Sequence, residues 1–341
     1  MIFYISFLLI IVACRDNSVP VEATSGQALI SYARGFKLFE FDKNFVVVIG
    51  GNRYSFSKNI TGSSYVLSGV TQLQFLKALH EDSSVVGLFD AKYFGDSAVS
   101  SRLEKGEILN FKQGNSPDWE LLIKHKNSMV LGYSSFNMDE QMIKNLNLTV
   151  LPINEFQENH PLGKAEWIKV FGVISGKFAL ADSIFRKIEE RYLAAKPSEN
   201  DSSHKPRVIA GEYYDGVWTV PGSNSYIAAL VADAGGEYVI KNENKSVIMM
   251  NKETFSSYLK NAEYWRRVSR EDVDVSKLTK EEVTSKYQVH PDRLKALIYC
   301  DIRKVNYFDA VLLCPEKELQ DFVSAFRNKD TMNFYRLIKV E

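Results

Sequence analysis

Cysteine and histidine are scarce in this sequence. Of its 341 residues, three are cysteine and five are histidine, and no Cys/His spacing fits a zinc site. The histidines are scattered, and none lies in a motif for metal binding or nucleophilic catalysis: His80, His125, His160, His204 and His290. We therefore expect no intrinsic metal cofactor.

Net charge and enzyme motifs are also missing. Lys plus Arg equals Asp plus Glu at 42 each, so no net field attracts nucleic acid, and we expect no nucleic-acid partner. The sequence contains no Gly-x-Ser-x-Gly elbow, no phosphate-binding loop and no Gly-x-Gly-x-x-Gly after a strand. These absences favour a binding protein over an enzyme.

Aromatic residues, by contrast, are plentiful, with 21 Phe, 17 Tyr and 4 Trp. Most of them must lie in a core, but that many rings can also line an aromatic cleft. The chain is long enough for two domains, each with its own core.

The N-terminus has the pattern of a targeting segment. Residues 2–12 form an apolar run with the length of a signal-peptide core, too short to span a bilayer. The run ends at Ala13-Cys14 and a polar segment follows, which resembles a bacterial lipobox. This resemblance implies that residues 1–13 are a signal peptide, that Cys14 carries a lipid, and that residues 14–27 form a tether. The alternative is a buried N-terminal strand with an ordinary cysteine.

The hydrophobic pattern of the remaining chain predicts an α/β fold. Residues 36–56 contain three short alternating runs, typical of an antiparallel opening. From Tyr65 onward, short apolar strands alternate with helices, which predicts a mainly parallel, doubly wound sheet. After a central helical block the same alternation returns, with late strands predicted near residues 296–299 and 304–307.

The central block, residues 160–196, is the longest helix-compatible segment, and Ser175-Gly176 breaks it into two helices. We expect its first part, residues 161–176, to connect an N-terminal lobe (residues 28–160) to a C-terminal lobe (residues 177–341). Two lobes held by a stiff helix would suit a preformed cleft that takes up a ligand.

Four phrases in this order resemble the substrate-binding lipoproteins of ABC importers for iron-siderophore, haem and cobalamin, particularly the form in Bacteroidetes-type genomes. They are Tyr32-Ala33-Arg34-Gly35-Phe36, Pro161-Leu162-Gly163-Lys164-Ala165-Glu166-Trp167, Trp218-Thr219-Val220-Pro221-Gly222-Ser223 and Asp233-Ala234-Gly235-Gly236-Glu237-Tyr238. The resemblance implies the class III periplasmic-binding-protein fold: two Rossmann-like lobes, each with a mainly parallel sheet, joined by a single long helix, with the ligand between them.

The same resemblance implies the partners and the location. We expect a monomer in the periplasm or cell envelope, anchored to a membrane by Cys14, that delivers a metal chelate or corrinoid to an ABC permease with its ATPase subunits. Family members dock through one exposed acidic residue on each lobe, and Glu120 and Glu253 stand at the matching positions. The alternative for each is an ordinary helix-start acid, which the helix dipole favours.

Ligand contacts are predicted from the rule that α/β sheets bind ligands at the carboxyl ends of their strands. The candidates in the N-terminal lobe are Ser68, Tyr93, Phe94, Tyr133 and Ser134, and those in the C-terminal lobe are Tyr214, Trp218, Arg303 and Tyr307. Tyr and Trp rings suit a macrocycle or aromatic chelate, and Arg303 suits a carboxylate or catecholate. The alternative for each ring is packing in the core of its lobe.

Two other functions stay open. One is a periplasmic two-lobe enzyme of the chelatase type that acts on tetrapyrroles, and the other is a surface lipoprotein that captures haem without a permease. Cys300 and Cys314 are either a disulfide or two core residues. The sequence departs from the family around residues 328–330, where many relatives have His-Pro.

Overall fold

The structure, a computed structural model, describes residues 28–113, 116–132, 140–198, 204–241, 246–271, 277–329 and 332–341. The chain folds into two compact units. Of the described residues, the first unit contains residues 28–30, Gly35–Asn154 and Ile168–Asp182, and the second contains Ser31–Arg34, Glu155–Trp167 and Ser183–Glu341. The units interleave along the chain, so the predicted connecting span, residues 161–176, is divided between them.

The first unit opens with an antiparallel three-stranded sheet, as the sequence predicts. Strand β1 (Phe36–Glu40) pairs with β2 (Asn44–Ile49), and β2 pairs with β3 (Asn52–Ser57). The turn after β2 is Gly50-Gly51, with φ of 56° and 83°. Glycine adopts this left-handed backbone without a side-chain clash, so the dipeptide fixes the hairpin.

The main sheet of the first unit is parallel, and two short strands pair beside it. The strands of this region are β4 (Tyr65–Leu67), β5 (Val85–Leu88), β6 (Leu109–Asn110), β7 (Lys112–Gln113), β8 (Ser116–Pro117), β9 (Met129–Gly132) and β10 (Val150–Pro152). The main sheet has the order β10-β9-β4-β5-β6, and β7 pairs with β8. Every residue of β4 and β9 is buried, as expected for parallel strands covered on both faces.

In the part of this region that the structure describes, four helices accompany the strands, together with 3-10 turns at Asp82–Ser84 and Ala91–Tyr93. The helices are α1 (Val70–Ala78), α2 (Ser97–Glu104), α3 (Trp119–Lys124) and α4 (Glu140–Asn145). Side chains cap two of them, because Asp96 accepts N–H groups at the start of α2 and Asp118 accepts one at the start of α3.

The central block is helical, as predicted. A 3-10 turn at Glu155–Gln157 precedes α5 (Pro161–Glu166), α6 (Ile168–Ile174) and α7 (Phe178–Ala195). Only Trp167 separates α5 from α6. The break before α7 needs glycine, because Gly176 has a φ of 70° and a Cβ there would lie 2.3 Å from the carbonyl oxygen of Ile60.

The second unit contains a six-stranded sheet and a small three-stranded sheet. Its strands are β11 (Arg207–Ala210), β12 (Glu212–Tyr214), β13 (Val217–Pro221), β14 (Glu237–Tyr238), β15 (Val247–Met250), β16 (Tyr264–Ser269), β17 (Lys277–Leu278), β18 (Ala296–Asp301) and β19 (Arg336–Val340). The large sheet has the order β14-β11-β16-β18-β19-β17, and the small antiparallel sheet has the order β12-β13-β15.

Within its described residues, the second unit has five further helices: α8 (Tyr226–Asp233), α9 (Lys252–Leu259), α10 (Lys280–Tyr287), α11 (Tyr307–Leu313) and α12 (Pro315–Phe326). The first four strands of the large sheet are parallel, whereas β19 runs antiparallel to β18. The predicted alternation of strands and helices is confirmed in both units.

One predicted strand is wrong. Residues 304–307 form a turn and the start of α11, because the Asp301 carboxylate accepts the backbone N–H of Arg303 at 3.0 Å and turns the chain directly after β18. The strands that pair with β18 are β16 and β19, and neither was predicted from the sequence.

Two buried carboxylates join the first and second of the four phrases. The Glu166 carboxylate accepts the backbone N–H groups of Ser31, Tyr32 and Ala33 at 2.9, 2.8 and 2.9 Å. Glu158 accepts the backbone N–H of Arg34 at 2.9 Å and the indole N–H of Trp167 at 2.8 Å. Hydrogen bonds of this kind compensate the cost of burying a charged group.

Candidate ligand-binding site

In the first unit, Ser68 lies directly after β4, at the carboxyl edge of the parallel sheet. Its backbone N–H donates to the carbonyl of Leu131 at 3.0 Å and to the Gln72 side chain at 3.0 Å. The amide of Gln72 in turn donates to the Ser68 hydroxyl at 3.3 Å. The hydroxyl is therefore held at the start of α1, at the edge where α/β sheets bind ligands.

The loop after β5 reaches the same edge. Tyr93 ends the 3-10 turn Ala91–Tyr93, and Phe94 after it is 5% exposed, so the Phe94 ring packs in its own unit. Phe94 therefore matches the alternative of core packing. Tyr133 and Ser134, which follow β9 in the sequence, lie outside the described residues.

One charged pair at this edge, Asp90 and Lys112, was not predicted from the sequence. Asp90 follows β5 with a φ of 59°, and its carboxylate accepts from the Lys112 ammonium at 2.5 Å. The hydrogen bond from Lys112 holds the pKa of Asp90 below its ordinary value. In the sequence, the signal for this pair was a single Asp after a buried strand. Its partner Lys112 is 22 residues away, so the local pattern did not indicate the ion pair.

In the second unit, the β12–β13 hairpin continues the chain beyond the carboxyl end of β11. Its turn is Asp215-Gly216, with φ of 48° and 83°, which sets the two strands side by side. Tyr214, immediately before the turn, is 82% exposed. This predicted contact residue therefore presents its ring to solvent.

Trp218, on the same hairpin, faces the opposite way. It is 1% exposed, and its ring stacks on Phe255 with centroids 3.8 Å apart and an interplanar angle of 1°. Trp265 packs against both rings at 5.5 Å. Since protein atoms already cover the indole, Trp218 supports the hairpin from inside the unit and is not available as a ligand contact.

A buried ion pair holds the base of the hairpin. Glu212 accepts from the Arg267 guanidinium at 2.7 Å and from the backbone N–H of Val268 at 2.8 Å. The Arg267 guanidinium lies 5.0 Å from the Trp265 ring and 4.5 Å from the Tyr287 ring. These contacts tie β12 to β16 and fix the direction in which the hairpin leaves the large sheet.

Arg303 and Tyr307 both follow β18 but differ in exposure. The Arg303 side chain is 43% exposed and forms a two-point ion pair with Asp301, at 2.9 and 2.7 Å. Hydrogen bonds from Arg303 lower the pKa of Asp301 to about 2. Tyr307 is 5% exposed and its hydroxyl donates to Glu318 at 2.6 Å, so its side chain belongs to the polar interior of the unit.

The two candidate docking residues begin helices, one in each unit. Glu120 lies in the first turn of α3 and its side chain is 81% exposed, with a 2.7 Å ion pair to Lys124. Glu253 lies in the first turn of α9, which Asn251 caps, and it is exposed. Both carboxylates are thus accessible. Docking requires this exposure, and ordinary acidic residues at helix starts share it.

The four phrases converge inside the second unit. A cavity of about 530 Å³ is lined by Ser31–Arg34 from the first phrase, by Asn159 and His160 just before the second, and by Ser223 from the third. The Tyr32 ring stacks on His160 at 5.5 Å, and His160 lies 3.4 Å from Asp233 in the fourth phrase. The four phrases therefore meet around one cavity of the second unit. Most of their residues lie outside the loops that carry the predicted ligand contacts.

A model of the periplasmic binding protein family matches residues 70–294. The chain belongs to the periplasmic binding protein family. The family and the α/β fold predicted from the four phrases are thereby confirmed.

Relatives of this periplasmic binding protein include an uncharacterized lipoprotein of Methanocaldococcus jannaschii, MJ0878. The two are 26% identical over 296 residues, which cover 73% of this chain and 71% of that protein.

Solved structures share the fold. The periplasmic haem-binding protein HutB of Vibrio cholerae is similar with a TM-score of 0.57 and 14% identity, covering 77% of this chain and 98% of HutB. IsdE of S. aureus in complex with haem is similar with a TM-score of 0.53 and 19% identity, covering 77% of this chain and 99% of IsdE.

Two features of the described ranges bear on metals and membranes. Within those ranges, no three His, Cys, Asp or Glu side chains are grouped closely enough to hold a metal ion. No helix found there is long and apolar enough to cross a membrane.

Cys300 and Cys314 are free thiols, and burial raises the pKa of Cys300 to about 12.

Proposed function

We propose that this periplasmic binding protein is the lipid-anchored solute-binding component of an ABC importer. It binds an iron-siderophore, haem or cobalamin-like chelate and delivers it to a membrane permease with its ATPase subunits. The observation that carries the proposal is the family match across residues 70–294. HutB is named as a haem-binding protein and IsdE was solved with haem, which supports a metal chelate as the class of ligand.

The ligand contacts in this proposal lie at the carboxyl edges of the two parallel sheets. Ser68 and Tyr93 would contribute from the first unit, and Tyr214 and Arg303 from the second. An exposed tyrosine ring offers a flat apolar face and a polar tip, and a guanidinium pairs with carboxylate or catecholate oxygens. Tyr133 and Ser134 remain candidates by their position after β9 in the sequence.

Docking to the permease in this proposal uses Glu120 and Glu253. Each carboxylate is exposed at a helix start, and the two lie in different units. Charges placed at two separate points set the register of a complex and raise its association rate. The relative MJ0878 is named a lipoprotein, which supports a lipid on Cys14 and a location in the cell envelope.

The test is titration of the purified protein with ferric siderophores, haem and cobalamin, followed by absorbance and tryptophan fluorescence. We expect tight, stoichiometric binding of one of these classes, with the ligand recovered unchanged. Metal insertion or removal during the incubation would contradict the proposal and would favour a chelatase. If none of the three classes binds, the assignment as a chelate-binding protein is wrong.

A further inference from the structure

The small sheet of the second unit has an unusual outer face. Tyr214 stands opposite Val217, Met249 opposite Thr219, and Val247 opposite Pro221. Because side chains alternate between the two faces of a strand, these residues share one face, and Trp218, Val220 and Met250 share the other. The second group is buried in the unit, at 8% exposure or less.

The large apolar side chains on the outer face are exposed. Tyr214 is 82% exposed, Met249 75%, Val247 56% and Val217 37%, and we call these four side chains the platform. The platform holds four of the ten large exposed apolar side chains in the described part of the chain, and Tyr213, which stands opposite Trp218, lies on the other face of the sheet. An antiparallel sheet with one face on a core normally presents polar residues on the other, so this clustering indicates a binding surface.

The charge of the platform fits an apolar occupant. Glu212, opposite Thr219, is the acidic residue of the three strands on this face. Arg267 and the backbone N–H of Val268 engage its carboxylate at 2.7 and 2.8 Å. The charge is therefore neutralised at the base of the sheet, and the exposed part of the face is left to rings, methyl groups and a thioether.

The position and size of the platform indicate what covers it. Strand β12 follows β11 after a single residue, Gly211, so the platform continues from the carboxyl edge where the proposed ligand contacts lie. Three strands span about 10 Å, the width of a small macrocycle. A stable protein partner needs roughly 800 Å² and 20–30 residues on each side, far more than four side chains provide.

We infer that the platform binds the flat, apolar body of a conjugated macrocycle, the metal chelate carried by this protein being a tetrapyrrole. This inference rests on the proposed function and narrows its ligand class. Tyr214 would stack on the macrocycle, and Met249 and the two valines would cover its apolar face and exclude water. A ferric hydroxamate, whose surface is largely polar, would gain little from such a face.

The test uses the full protein and four single variants. Tyr214→Ser and Met249→Ser remove platform contacts, Met249→Leu keeps the apolar contact, and Leu193→Ser changes an exposed apolar residue of α7 in the same unit. Equilibrium titrations with ferric protoporphyrin IX and with a ferric trihydroxamate measure the Kd of each protein. Because all three positions are exposed, we expect unchanged thermal midpoints, which circular dichroism checks.

Haem should bind the wild type more tightly than the trihydroxamate. Tyr214→Ser and Met249→Ser should each weaken haem binding by about tenfold or more, as loss of a large apolar contact implies, whereas Leu193→Ser and Met249→Leu should stay within about threefold of the wild type. The inference is overturned if both serine variants bind haem as tightly as the wild type. It is also overturned if Met249→Leu loses as much haem affinity as Met249→Ser. Tight binding of the trihydroxamate alone overturns the inference and leaves the proposed function standing, whereas no binding of any chelate overturns both.

Discussion

The carboxylate of Glu166 accepts the backbone N–H of Ala33 across 2.9 Å, although 133 residues separate the two along the chain. The same carboxylate also accepts the N–H groups of Ser31 and Tyr32. Glu166 is fully buried, and three backbone N–H groups compensate the cost of burying its carboxylate. This contact joins the Tyr32 phrase to the Glu166 phrase in the folded chain.

Glu166→Gln should destabilise the protein by about 2–3 kcal/mol, the range for hydrogen bonds to a charged group. The amide would place a donor against backbone N–H groups that need an acceptor. Urea unfolding measures the change, and Glu190→Gln, at an exposed position on α7, is the matched control. Equal midpoints for the two variants would show that the buried carboxylate is not needed.

Trp218→Ala should cost about 3–5 kcal/mol, as expected for a large buried aromatic residue. The indole stacks on Phe255 and contacts Trp265, so its removal opens a cavity under the hairpin. Tyr214→Ala, on the exposed face of the same hairpin, should change stability by less than about 0.5 kcal/mol. Thermal unfolding followed by circular dichroism compares them, and a stable Trp218→Ala variant would argue against the core position.

Asp233 should make stability depend on pH in the acid range. Burial raises the pKa of Asp233, but hydrogen bonds from His160, Lys196 and Tyr192 outweigh burial and leave the pKa below its ordinary value. A lowered pKa in the folded state stabilises the protein above the unfolded pKa of about 3.9, and this contribution is lost as the pH falls through the folded value.

The corresponding variant is Asp233→Asn. It should be about 1–2 kcal/mol less stable than the wild type at neutral pH, and the difference should shrink below about pH 4. Denaturant unfolding between pH 3 and pH 7 measures it, with Asp292→Asn, at an exposed position, as the control. Parallel stability curves down to pH 3 would contradict the assignment.

Glu120→Lys combined with Glu253→Lys should reduce uptake of the ligand by roughly tenfold or more, because two attractive contacts with a basic permease surface become repulsive. Ligand affinity of the purified protein should not change, since neither residue is a candidate ligand contact. Uptake into cells and titration in solution provide the two measurements. Glu190→Lys controls for the change in net charge. If the variant with both Glu120→Lys and Glu253→Lys still takes up ligand, the docking assignment is wrong.

Cys14→Ala should release the protein from membranes, because two acyl chains on that residue are proposed to anchor it. Fractionation of cells that express either form, with antibody detection, measures the membrane-bound share. The Cys314→Ala variant retains Cys14 and should stay in the membrane fraction. Retention of Cys14→Ala in that fraction would show that another feature holds the protein there.

Local patterns in the sequence predicted many of the elements in their correct order. The alternating runs at residues 36–56 predicted the opening sheet, and Gly50-Gly51 predicted its hairpin because only glycine takes that turn without strain. Helix caps such as Asn251 lie within four residues of what they bind, so they too can be found in the sequence. The exposed starts at Glu120 and Glu253 follow from such local signals.

Long-range pairing lay beyond those patterns. Whether Trp218 or Tyr214 meets solvent depends on the face that packs on Phe255, and whether β19 pairs with β18 depends on a turn that Asp301 closes. Adjacent positions of a strand face opposite sides, so a pattern of rings alone leaves both faces possible. The sequence by itself determined the family, the order of the main helices and about half of the strands, because their causes are local. Only the tertiary structure decided which rings are core and which form the platform, because burial is set by partners far along the chain.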